Sequence, residues 1–159
     1  MDSTATIMSF SQQPSADNVP SLEAAKQYIY SIDFSMIIDK LIKRQKWLRI
    51  EAEECCKQYR NYLWLLKNYG TEKPLPPSED IDEFWHHHIL DTEKYIEDCD
   101  AVFGGYLHHY PYYGHDGKTT LTDLNRTFLE TQKIYKDEFG ASLKSVRYLF
   151  RRVVRIFLT

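Results

Sequence analysis

One stretch constrains this chain more than any other. Leu48, Ala52, Cys55, Tyr59, Tyr62, Leu66 and Tyr69 recur at alternating steps of four and three. Residues so spaced share one side of an α-helix, so the segment predicts a long helix with a buried seam, stopped by Gly70. Cys55 lies on that seam, whereas Cys56 is rotated about 100° away and is expected to be half-exposed. The same periodicity recurs on both sides. Phe34, Ile37, Ile38, Leu41 and Ile42 form an apolar stripe behind Asp33, a suitable N-cap. Ser78 can cap a helix that opens with Glu79, Asp80 and Asp82, acids that suit its positive end. Asp91 or Thr92 caps the next, with Tyr95, Ile96, Cys99, Val102 and Phe103 facing inward. Leu124, Phe128, Thr131 and Tyr135 give a further seam, closed by Gly140.

Helix follows helix with short connections and no sustained β alternation. The expected fold class is therefore all-α, an irregular bundle of about five to six helices. Residues 1–20, rich in Ser, Gln, Asn and Pro, are expected to form a disordered leader, and 21–159 a single helical domain. The three cysteines are an odd number without a paired framework, which argues against a disulfide-built domain. The sequence shows no signal peptide, and no transmembrane segment is expected because no window approaches about 18 apolar residues. A cytoplasmic location fits best, although export by a signal-less route would leave the same sequence.

The net charge of -3 provides no global field toward nucleic acid, which is disfavoured as a partner. The charge is unevenly placed. From Ala141 onward there are five basic residues and no acid. Residues 142–159 read as a basic amphipathic closing helix, with Lys144, Arg147, Arg151 and Arg155 in one stripe and Val146, Leu149, Phe150, Val153, Ile156 and Phe157 opposite. Two readings stand. The apolar side docks on the bundle and the arginines face water or the acidic body, or the stripe meets a partner protein or an anionic surface.

Chemistry is to be sought among the histidines, five of which fall between positions 86 and 109, with His115 the sixth. Asp82 and His86 are one helical turn apart and can share an ion or orient one another. His88 diverges from His86 by about 160° and lies within the apolar arc of Ile81, Phe84, Trp85 and Ile89. His87 points with Glu83 toward solvent. A Gly114-His115-Asp116-Gly117-Lys118-Thr119 string is not a phosphate loop, because the required earlier glycine falls on Tyr112.

The run Asp80-Ile-Asp82-Glu-Phe-Trp85-His86-His-His88-Ile-Leu-Asp91, then Tyr95, Asp98-Cys99, Phe103-Gly104 and Leu107-His108-His109-Tyr-Pro111, resembles the glycine-rich-domain-protein-like family. The likeness extends from about Asp33 to Gly140. It implies no defined activity, and this chain has only six glycines, so nothing tied to a glycine-rich tail carries over.

Two function classes follow. The first is a non-catalytic interaction module in which the histidine cluster is structural. The second is a metal-binding domain for zinc or iron, extending to a metal-dependent hydrolase, with ligands from His86, His108, His109, Asp82 and Cys99. Trp85, His88 and Asp91 would support those ligands.

Overall fold

A computed structural model describes residues 8–10, 18–70 and 73–147. Among them are six helices: α1 (Leu22–Ser31), α2 (Ser35–Gln45), α3 (Arg49–Tyr69), α4 (Glu79–Leu90), α5 (Thr92–Phe103) and α6 (Leu121–Phe139). The chain is an all-α bundle, and α3 is its axis, packed by α1, α2, α4 and α6. That central place buries α3 beyond its seam. Cys56 is only 5% exposed, contrary to the half-exposure expected from the wheel, because α1 and α2 cover the neighbouring arc.

The caps follow ordinary helix chemistry. The Ser78 hydroxyl accepts from Ile81 N, as its position predicts. Asp33 lies one residue before the N-cap Phe34 and accepts from Ser35 N instead. Thr120 and Asp123 form a reciprocal capping box on α6. Gly104 ends α5 with φ of 74°, and a Cβ there would sit 2.6 Å from Asn18 O, so only glycine fits that turn.

A short ribbon accompanies the helices. Met8–Phe10 (β1), within the stretch expected to be a leader, pairs antiparallel with Leu107–His109 (β2) in the register Met8↔His109, Ser9↔His108 and Phe10↔Leu107. Three residues are too few for alternation to stand out in a sequence.

The last described residues also depart from expectation. Ser142–Ser145 is not helical, and helix begins at Val146. Asp80, 4% exposed, fixes this start. Its Oδ2 accepts from Val146 N at 2.7 Å and Ser145 Oγ at 3.0 Å. Asp80→Ala would strand these donors and is expected to cost about 1–3 kcal/mol. Denaturant melts should record the loss, and hydrogen exchange should show Val146 N deprotected. Unchanged exchange at Val146 would exclude the anchor.

Candidate metal site

His88 and His86 lie on different faces of α4 and belong to different surroundings. His88 belongs to the core. It is 1% exposed, with Nδ1 2.8 Å from the Tyr59 hydroxyl and Nε2 2.8 Å from Asp98 Oδ2. A neutral ring satisfies every atom, with Tyr59 donating to Nδ1 and Nε2–H donating to Asp98. Tyr28 donates to Asp98 Oδ1 at 2.7 Å, and Lys94 lies 3.3 Å from Oδ2. Burial raises the Asp98 carboxyl, but hydrogen bonds from His88 and Tyr28 and the nearby charges outweigh it and hold the group below its usual range. The same contact, after burial, pushes the Tyr28 phenol up to about 12. This network ties α1, α3, α4 and α5 together, and its acid is Asp98. Neither Asp82 nor Asp91 reaches His88.

A second cluster faces a cleft. Asp82 and His86 share one side of α4, one turn apart, and β2 brings His109 against them. His109 Nε2 is 2.6 Å from Asp82 Oδ1, and His86 Nε2 is 3.6 Å from Asp82 Oδ2. One potential ligand atom from each residue lies within 4.8 Å of the others. Exposure rises across the trio, from an 11% exposed His109 side chain through Asp82 at 36% to His86 at 49%. His109 is thus the seated member and His86 the movable one.

Trp85 seats His109. Its ring centroid is 4.5 Å from the imidazole, and its Nε1 donates to the Tyr95 hydroxyl at 2.9 Å. Tyr95 in turn donates to Leu107 O at 2.6 Å. This chain of bonds runs from α4 through α5 to the first residue of β2, and so sets the position of the strand beside the α4 carboxylate.

The other residues expected at this site lie elsewhere. Successive side chains of a strand point to opposite faces, so His108 and His109 cannot both reach Asp82. His108 packs instead on Tyr106, at 4.8 Å between ring centroids. Cys99 is a core thiol, 2% exposed and pushed up to about 11 by burial. Neither joins the trio. Asp91 joins α4 to α5 through its backbone, its side chain caps no helix N–H, and it faces a different groove.

The cleft beside the trio has a volume of about 290 Å³ and is walled by Pro76, Pro77, Tyr110, Pro111, Tyr113 and His115. Its loop wall is organised by Asp116, which accepts from Lys118 N, Thr119 N and the Tyr110 hydroxyl. These bonds hold the Asp116 carboxyl well below its ordinary value. Such a loop centres on an anion of its own, which explains physically why the glycine pattern is no phosphate cradle.

Of the basic stripe, Lys144 is exposed, but Arg147 is committed internally. Its Nη1 donates to Glu83 Oε2 at 2.7 Å, and its guanidinium lies 4.9 Å from the Trp47 ring centre. Leu143 and Val146 are buried, so the described start of this segment docks on the bundle. Arg151 and Arg155 lie outside the described residues. No helix among the described residues is long and apolar enough to cross a membrane.

A family model described as UCP032817-like matches residues 24–129, which include Asp82, His86 and His109. No curated protein and no solved structure matches the chain.

Proposed function

The chain belongs to the UCP032817-like family, and from that premise we propose that Asp82, His86 and His109 bind one divalent transition-metal ion, zinc or iron(II). One observation carries the reading: three side chains of two ligand types suited to such ions, drawn from a helix and a strand, have their ligand atoms within 4.8 Å of one another beside a cleft. Two imidazoles and a carboxylate suit zinc with an open position, or iron in a two-histidine, one-carboxylate site.

The fit needs modest movement. Bonds of about 2.0–2.1 Å place tetrahedral ligand atoms roughly 3.4 Å apart. The half-exposed His86 ring can swing in, while the Asp82–His109 pair opens slightly. Three protein ligands leave a position toward the cleft, which is what metal-assisted hydrolysis would use. The His88 network takes the purely structural role, so the two roles weighed for the histidine cluster fall on different residues.

The test is metal content and affinity. Protein expressed with added zinc or iron should carry close to one equivalent. His109→Ala and Asp82→Ala should each lower zinc affinity by at least about tenfold, and His108→Ala should leave it unchanged. Less than roughly a tenth of an equivalent in folded wild-type protein would end the proposal. Equal losses from His108→Ala and His109→Ala would move the site elsewhere.

A further inference from the structure

We infer that the groove between α2 and α4, on a different face of α4 from the Asp82 trio, binds a small amphipathic anion. The groove has a volume of about 540 Å³ and is lined by Met36, Ile37, Lys40, Lys43, Arg44, His87 and Leu90, with Asp39 and Asp91. That volume lies within the range of small-ligand sites, roughly 300–1,000 Å³.

The walls follow from helix geometry. Met36, Lys40, Lys43 and Arg44 share one side of α2, and His87, Leu90 and Asp91 share one side of α4. These sides line one groove between the two helices.

The lining carries three cations against two carboxylates, Asp39 and Asp91, and so has an excess of one positive charge. Lys43 is paired with Asp39 at 3.3 Å. Among the described residues, neither Lys40 nor Arg44 forms an ion pair with a carboxylate. Across the groove, the His87 Nδ1 is buried without a hydrogen-bond partner among the described residues. Lys40 and Arg44, both exposed on α2, make a seat for an anionic head.

The rest of the lining asks for an apolar body. Met36 is 77% exposed and Leu90 69% exposed, and they flank the groove. Inorganic phosphate alone would leave these side chains in water. A bare hydrocarbon would leave Lys40 and Arg44 with Asp91 as the one unpaired carboxylate of the lining to balance them. A head of carboxylate or phosphate chemistry on a short chain satisfies both walls.

Octyl phosphate below its micelle concentration is the probe, titrated calorimetrically into the whole chain, with inorganic phosphate and octanol as separate arms. One equivalent should bind, at least about tenfold more tightly than either fragment. The double variant Lys40→Glu, Arg44→Glu should weaken binding by at least about tenfold, and Leu90→Gln by several fold. All three positions are exposed, so the variants should fold as the wild type does, which circular dichroism can verify. Absence of binding at roughly millimolar probe overturns the inference. So does equal affinity for inorganic phosphate, or wild-type affinity in the double variant. Binding only to phosphatidylglycerol vesicles, with none to the soluble probe, would assign the patch to a membrane surface and overturn it too.

Discussion

Replacing Asp98 by alanine is expected to cost about 3–5 kcal/mol of folding stability, because it leaves a buried charge-bearing network without its acid. Asp98 is 3% exposed and accepts from Tyr28 and His88, with Lys94 beside it. Alanine removes all three interactions and leaves the His88 Nε2–H and the Tyr28 hydroxyl with no acceptor in a desolvated site. Asp98→Asn keeps a carbonyl for one donor and should recover part of the loss. Urea unfolding of the wild type and both variants gives the values. A loss below about 1 kcal/mol for Asp98→Ala would mean that packing alone holds α1 to α5.

The pH dependence of this difference has a definite sign. The Asp98 carboxyl is held below its ordinary value in the folded state. A carboxylate lowered in this way stabilises the fold fully above its unfolded pKa of about 3.9, and the contribution falls away as pH drops through the folded value. The gap between wild type and Asp98→Ala should thus be constant from neutral pH to about pH 5 and shrink below about pH 4. A gap that widened on acidification would contradict the lowered carboxyl.

Trp85→Ala should produce a second large loss, again about 3–5 kcal/mol, since it empties a fully buried ring volume in the core. Its effect should also reach the candidate site. Trp85 lies under His109 and begins the hydrogen-bond chain through Tyr95 to Leu107 O. Trp85→Phe is the more informative variant. It retains much of the volume but deletes the indole N–H, so it should cost about 1–2 kcal/mol. Zinc affinity should fall about tenfold in a folded protein, because the position of His109 is no longer fixed. Stability lost with no change in zinc affinity would show that Trp85 supports the core and not His109.

Much of the site could be read from residue order, up to a definite physical boundary. Asp82 and His86 were legible because both are on one helix, and a spacing of four residues puts them one turn apart whatever surrounds them. The placement of His88 on the apolar arc was legible for the same reason. Its partner was not. Asp98 comes from the following helix, and the choice among Asp82, Asp91 and Asp98 depends on how α4 and α5 pack. The two adjacent histidines of β2 were indistinguishable in the sequence, because three residues of strand leave no pattern to set which side faces α4. Arg147 could be read as part of a cationic stripe facing water or the acidic body, and only the packing of separate elements selects Glu83 and Trp47 as its neighbours.

The amino-acid order by itself determined an all-α fold, the long central helix through Tyr59 and Tyr62 with its glycine stop, the Ser78 cap of α4, and the pairing of one acid with one imidazole on α4. Those features depend on periodicity and capping, which act within a few residues and need no distant partner. The tertiary structure alone decided that His109 and not His108 meets Asp82, that Cys99 stays in the core, and that side chains of α2 and α4 line one groove. Each of these depends on where separate elements meet, which is fixed by side chains packing across the whole bundle and not by the spacing along any one element.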